Sequence, residues 1–450
     1  MSKRPTMTAH HDQSLRAMDL TEDTTELYEE LYQGPDDTNY QHDPKEEKNA
    51  LAPFMINLFG RSVNYVVLAV HANIVLYSIF FWIQQGTMPY LIKKFEVDPA
   101  VFGYLQTTFA IVQLCGGPLF GRYGDLYGGQ AALVLAFSSA ALSYLILGMS
   151  FTVPMLFLSR LPSVFMHAMQ GGQMVVTDMS EEKQRSDALG KLGLSYGIGF
   201  IVGPLVGGVL TKAFGEQFAA FVAASGSILS IVIVKMSIPK HTKLYHTEVH
   251  KEESTTAVFN MKKIGTLLQT PGTGLLLAVK TFTGIPIGIF QSMFPIVAVT
   301  LFKLEPEQNG YLMAYTGVLV MLIQGFGLGI VGKKFNDNSL IKLATFIMIW
   351  AYLALSYVTS VWQFAVVAIP LCFGLTTQNI VISSALTKRV PHADTGAILG
   401  VNMAMNSLIR TVSPTIGGIM LHQYGFPSFG YLGFVVCGIM SIGLFTKLKS

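Results

Sequence analysis

Three cations and two histidines fall inside long apolar runs: Arg160, Lys280 and Arg410, with His71 and His167. A charge at the centre of a bilayer costs roughly 2.5–3.5 kcal/mol on insertion scales, so a polar cavity is their expected setting. Arg160 and His167 stand seven residues apart, which on a helix is one face, with Gln170 close by. Asn402, Asn406 and Arg410 step by four and predict a polar stripe on a single helix. Arg160 also suits a structural place among backbone carbonyls, and His71 suits helix packing. Lys280 is best placed to meet a solute or a proton, because a buried lysine changes its protonation state readily. None of the 27 acids lies inside an apolar run; 12 precede Arg61 and the rest sit at loops or helix ends. A cavity with this lining is basic and favours an anionic or neutral guest. Aromatic residues such as Trp82, Phe109 and Tyr196 could instead hold a cation on their ring faces, and histidine could carry a proton near neutral pH.

The elements that must position these groups are membrane helices. Apolar residues make up 51% of the 450-residue chain and charged residues only 13%, against about 25% charged in soluble domains. Runs of about 20 apolar residues suffice to cross a bilayer as helices. They occur near 63–88, 101–120, 131–150, 154–177, 188–211 and 214–234, then 272–300, 309–331, 340–358, 361–386, 395–420 and 427–446. The runs are too long for barrel strands and lack alternation, which leaves helices as the way to satisfy backbone groups in lipid. With both termini in the cytosol, the inner loops and C-terminal end hold sixteen Lys and Arg, among them Arg122, Lys183, Lys240, Lys334, Lys388 and Arg389; the outer loops hold only Lys93, Lys94, Lys212 and Lys303. That bias is the positive-inside pattern. Residues 1–62 read as a disordered acidic arm able to meet a cytosolic partner, 63–234 as one six-helix bundle, 235–271 as a cytosolic linker, 272–446 as a second bundle and 447–450 as a cytosolic end. No cleavable leader is expected, since the first apolar run is too far from Met1 and too long.

Cys115, Cys372 and Cys437 all lie in apolar runs and read as core thiols. His241, His246 and His250 in the linker lack the partners of a metal set. No nucleotide-binding loop, H-E-x-x-H or paired intramembrane aspartate appears, so ATP-driven pumping, enzyme chemistry, bound cofactors and nucleic-acid partners are not expected.

The second half repeats the first. Gly103-Tyr104-Leu105 opens the second span and Gly310-Tyr311-Leu312 the eighth. Gly190, Gly203-Pro204, Gly207-Gly208 and Gly215 return as Gly400, Ser413-Pro414, Gly417-Gly418 and Gly425, each offset by 210 residues. Parallel repeats place a solute site between the halves, near the midplane. Gly199, Gly203 and Gly207 form a smooth stripe that lets a neighbouring helix approach, and Pro204 invites a kink. A helix of this kind could seal or swivel. Asp125 and Asp178 at inner ends correspond to basic positions in the second half, Lys388 matching Asp178, and such opposite charges could form latches between the bundles.

These residues resemble the major facilitator superfamily. Gly199-Phe-Ile-Val-Gly203-Pro204-Leu-Val-Gly207-Gly208 is similar in full to its antiporter motif. The loop Gly121-Arg-Tyr-Gly-Asp125-Leu-Tyr-Gly128 resembles its loop between the second and third spans, and Arg160 with Thr177-Asp178 resembles its fourth-helix arginine motif. FGYLQTTF, GGPLFGR, SRLP, QMVVTD, GYLM and DTGAILG look like segments of its organic-cation-transporter-like members. The resemblance covers most of residues 63–446. It implies an all-α membrane fold of twelve transmembrane helices in two bundles and proton-coupled exchange of organic cations, in the manner of drug:proton antiporters. A receptor or scaffold that kept this fold without transporting remains the reading from a different class.

Overall fold

A computed structural model describes residues 51–58, 60–180, 182–242, 270, 272–332, 334–391 and 394–447. The acidic arm up to residue 50, most of the linker and the last three residues lie outside them. The chain is already structured ahead of the first span: strand β1, Met55–Leu58, pairs antiparallel with β2, Arg61–Asn64, with Met55 opposite Asn64. Gly60 takes the positive φ of 78° that their turn requires. Asn64 then caps the first long helix, its Oδ1 accepting from the Val66 amide at 2.9 Å.

The first half holds α1 Tyr65–Lys94, α2 Pro99–Tyr127, α3 Gly129–Gly148, α4 Val153–Leu158, α5 Ala168–Asp178, α6 Glu182–Phe214 and α7 Glu216–Ser237. The second holds α8 Thr273–Thr300, α9 Pro306–Leu322, α10 Leu328–Val331, α11 Asp337–Leu355, α12 Val361–Thr387, α13 Thr395–Tyr424 and α14 Pro427–Lys447. The pairs α4–α5 and α9–α10 each form one span, so the architecture is twelve spans in two sets of six. Among the described residues, nine helical segments are long and apolar enough to cross a membrane. Sharp starts follow from local chemistry: Asp98 accepts from the Ala100 amide at 2.7 Å with Pro99 in the first turn, and Ser360 and Gln363 close a reciprocal capping box.

One expectation fails at the fourth span. It is not a single helix over 154–177: α4 stops at Leu158, a tight 3₁₀ turn covers Leu161–Phe165, and α5 resumes at Ala168. Pro162 loosens the helix, since it lacks an N–H and its ring collides with the carbonyl four residues back; the turn tightens to 3₁₀, and the backbone leaves the helical region at Met166 and His167. Serines satisfy the freed carbonyls. Ser143 Oγ donates to Ser159 O at 2.7 Å, Ser163 Oγ to Arg160 O at 2.5 Å, and Ser139 Oγ to Pro162 O. Arg160 and His167 therefore do not share a helical face.

The two halves meet at one end and stand apart at the other. An apolar core runs through both halves at the Asp98 end, taking in Leu91, Phe102 and Leu105 together with Met293, Phe294 and Phe426. Towards the Asp125 end there are two cores, one in each half. The repeated motifs make the joint. On α6, Gly199, Gly203 and Gly207 face α1 within their own half, against Ser78, Ile79 and Ile83. The adjoining Pro204 and Gly208 face the other half, where a Cβ on Gly310 of α9 would stand 2.5 Å from the Pro204 carbonyl. The second half mirrors this: Gly418 of α13 lies on Ala100 and Gly103 of α2, and Gly103 meets the Pro414 carbonyl. At the opposite end Gly190, Gly193, Gly325 and Gly400 have no atom within 4 Å of a Cβ position.

Replacing Gly310 by Val should wedge this joint open, as overfilling a packed interface costs about 1–3 kcal/mol. A cysteine placed at Val101 in a Cys-free background should then react severalfold faster with a water-soluble maleimide; unchanged labelling would show that the α6–α9 contact does not seal this end.

Candidate functional site

Where the halves diverge, their facing helices enclose a cavity of about 870 Å³. The first half gives it an aromatic and amide wall: Phe81, Trp82 and Gln85 from α1, Gln106 and Phe109 from α2, Tyr196 and Phe200 from α6. Trp82 and Phe200 are packed with ring centroids 4.4 Å apart, and Trp82 meets Phe81 edge-on at 5.4 Å. The second half gives the charge: Lys280, Thr283 and Gln291 from α8, Gln378 and Asn379 from α12, and Asn406 and Arg410 from α13. No Asp, Glu or His lines this cavity among the described residues.

Lys280 is held by neutral partners. Its Nζ donates to Ser383 Oγ at 2.9 Å and to Asn379 O at 3.4 Å, both on α12, and the Asn402 amide of α13 reaches the same hydroxyl at 3.4 Å. Just above, Thr283 donates to Gln378 Oε1 at 2.8 Å, and Gln378 Nε2 donates to Thr345 of α11 at 2.8 Å. Four helices are thereby tied behind one wall. Arg410 projects from the α13 stripe as an exposed side chain.

The remaining sequence-selected residues lie elsewhere. Arg160 is 2% exposed and packed in the break of the fourth span. The Gln84 carboxamide oxygen, turned to face it, accepts from both terminal nitrogens at 2.8 and 3.2 Å, and the Phe109 ring lies over the guanidinium at 5.8 Å. His167 sits against the Phe120 ring at 5.4 Å, outside the cavity lining. His71 pairs with Ser195 Oγ at 2.9 Å between α1 and α6. Asn402 is buried behind Lys280, one layer from the cavity. Cys372 and Cys437 are buried but Cys115 is exposed, unlike the expected core thiol.

Gln170 instead joins Asp125 and Asp178 around a second hollow of about 340 Å³ at the Asp125 end. Gly121 lies against Gln170, and Gly128 ends α2 with a φ of 87°. Asp178 accepts from Thr242 Oγ1 at 2.6 Å, while Lys388 pairs with Asp337 of its own half at 2.7 Å. Asp178 and Lys388 thus have separate partners here. The ion pairs that do cross between halves are all at the Asp98 end among the described residues: Lys212 with Glu307 at 2.6 Å and Glu305 at 3.3 Å, and His422 with Asp98 at 2.5 Å. Thr107 and Thr415 join them at 2.8 Å, and Tyr90 OH donates to Leu304 O at 3.0 Å. Sequence reasoning passed over this set, and over the cavity amides Gln85, Gln106 and Gln291, because it ranked charges inside the spans and took neutral polar groups only where they neighboured a charge.

Comparison with known proteins agrees with this architecture. The Major Facilitator Superfamily model matches residues 70–387. Human solute carrier family 67 member A1 is 37% identical over 88% of this chain and 95% of its own length. Mouse solute carrier family 22 member 18 is 38% identical over 81% of this chain and 92% of its own. Among solved structures, that of the nucleoside transporter NupG superposes with a TM-score of 0.66 at 13% identity, over 86% of this chain and 99% of that one, a likeness of fold alone. With two six-helix halves, crosswise glycine–proline joints and a shared central cavity, the chain is an integral multi-pass membrane protein of the major facilitator superfamily, a family of transporters.

Proposed function

We propose that this chain is a secondary carrier of small organic anions that works by alternating access. The observation that carries the reading is the lining of the central cavity, where, among the described residues, Lys280 and Arg410 face the space and no carboxylate does. Magnitudes decide the sign. At an effective dielectric constant near 20, each cation at ~8 Å repels a positive guest by about 2 kcal/mol and attracts a negative one equally. A desolvated cation–π contact contributes about 2 kcal/mol, which offsets the repulsion by Arg410 and leaves that of Lys280, or the cost of removing its proton, uncompensated. An anion with an apolar body satisfies both walls, its acid towards Lys280 and Arg410 and its body against Trp82 and Phe200. The reading from family resemblance, proton-coupled antiport of organic cations, is favoured by the aromatic wall of Phe81, Trp82, Phe109, Tyr196 and Phe200.

The cycle follows from the ends. In the state described, the Asp98 end is sealed by the glycine–proline joints and the Lys212 and His422 ion pairs. The excess of Lys and Arg supports a cytosolic Asp125 end, and on that reading the cavity faces inward. For the return, the inner ends close; Lys388 leaves Asp337 for the acidic hollow of Asp125 and Asp178, while the outer pairs part.

Two measurements test this. Counterflow in liposomes should accept radiolabelled naphthalene-2-sulfonate and reject the similarly shaped cation N-methylquinolinium, and Arg410→Gln should cut sulfonate influx at least tenfold; uptake of the quinolinium alone would hand the case to the cation reading. Asp125→Lys should slow cycling about tenfold or more while leaving sulfonate affinity within threefold, and an unchanged influx rate would remove the inner latch.

A further inference from the structure

We infer that Lys280 couples solute movement to protons, and that the proton travels in the same direction as the anion. This rests on the anion reading of the central cavity and adds to it the sign of the coupling.

The argument starts from what surrounds the amine. Lys280 is 7% exposed yet lines the cavity, and its partners, Ser383 Oγ and the Asn379 carbonyl, are neutral. The ionisable groups on the packed elements are few. Along the cavity wall α12 presents Cys372 and α13 presents Arg410; α6 contributes Tyr196 from across the space. Behind α8, α14 carries Tyr431 and Cys437, with Lys447 at its end. The cavity-lining residues of α1, α2 and α9 include no ionisable side chain. Among the described residues an ammonium here has two acceptors and no counter-charge, so its charged form lacks the support that a buried ion needs.

A bound anion supplies that counter-charge. Proton and anion then favour one another at Lys280, and linkage makes the effect reciprocal: each raises the affinity for the other by the same factor. Loading forms one N–H bond from the amine lone pair and a proton from water on the side the cavity faces. Release on the other side breaks an N–H bond and returns the proton to water as the anion leaves. Arg410 cannot take this part, because a guanidinium keeps its proton throughout; it attracts the anion in every state and leaves the proton count to Lys280. A cavity acid would give the opposite sign, since a proton and a cation compete for a carboxylate. Ser383, which receives both the Lys280 ammonium and the Asn402 amide, is the positioning residue. It keeps the amine at the wall in either protonation state: its own proton goes to the Asn379 carbonyl at 2.7 Å, and its oxygen accepts an N–H from the ammonium or from the neutral amine alike.

The test uses the full chain in liposomes with a dextran-bound pH dye inside. An inward gradient of naphthalene-2-sulfonate, which stays anionic at every working pH, should acidify the lumen with one proton per sulfonate. Influx should rise with external acidity and ignore a potassium–valinomycin potential. In Lys280→Arg, the proton-to-sulfonate ratio of whatever influx remains should fall below about 0.1, and that influx should follow the potential. Independently of any variant, sulfonate affinity of the native chain should weaken at least tenfold as pH rises from 6 to 10. Sulfonate influx without lumen acidification, full coupling in Lys280→Arg, or a flat affinity profile would each overturn the assignment while leaving the anion reading intact. Quinolinium transport with no sulfonate transport would overturn both.

Discussion

The close approach of backbone to backbone between the halves is the constraint on which the rest depends. Lipid gives helices no hydrophobic reason to associate, so contact must come from fit. Gly310 on Pro204 and Gly103 on Pro414 provide that fit twice, by the same chemistry in related places. Because α6 turns Gly199, Gly203 and Gly207 to its own half and Pro204 with Gly208 to the other, one helix both builds its bundle and closes the joint. A side chain at any of these positions would separate surfaces that the Lys212 and His422 pairs can only pin once they are near. Exposed pairs of that kind contribute at most about 1 kcal/mol each. They select which side chains meet; the glycines determine that the surfaces meet at all.

That division explains why the structure has one cavity-forming divergence. Where Gly310 and Gly208 lie on the backbone of the other half, as Gly103 and Gly418 do, the apolar core is continuous across both halves; towards Gly190, Gly193, Gly325 and Gly400, which face nothing, the cores separate. A rigid half needs internal ties of its own if it is to move as a unit, and the polar ladder from Thr345 through Gln378 to Thr283, with Lys280, Ser383 and Asn402 beside it, supplies them across α11, α12, α8 and α13. The α6 hydroxyl of Ser195 on His71 and the α1 hydroxyl of Ser78 on the Tyr196 carbonyl at 2.6 Å do the same in the first half. Polar groups thus serve two ends: within each half they fix helices, and at the cavity wall they remain for a guest.

Much of the fold was legible in the sequence because membranes restrict the choices. Apolar run length located the spans, and the 210-residue offset marked the two halves. It also marked the surfaces that meet, although not that they meet crosswise, since pairing between distant helices leaves no trace in spacing. The site was legible in part. Lys280, Asn406 and Arg410 line the cavity, while Asn402 sits one layer behind and Arg160, His167 and His71 lie outside the lining. The fourth span misled because its apolar content suited a helix, while Pro162 and the serines around it, which decide its backbone, were read past. Equating a buried charge with a cavity is sound for insertion cost, but a carboxamide and a ring face, as Gln84 and Phe109 give Arg160, can hold a charge outside the cavity lining as well.

Arg160 shows how such a residue can still shape the site. Its terminal nitrogens are held by Gln84, and its face by the Phe109 ring, which itself forms part of the cavity wall. A fixed positive charge one ring behind the wall, at ~10 Å from a guest, contributes about 1.7 kcal/mol at an effective dielectric constant near 20. That is comparable to the direct term of either lining cation. The first half, which shows the cavity only aromatic and amide groups, therefore adds to the same positive field as Lys280 and Arg410. An anion crossing the space meets attraction from both walls, and a cation finds its favourable ring contacts set against a field that none of the described lining residues reverses.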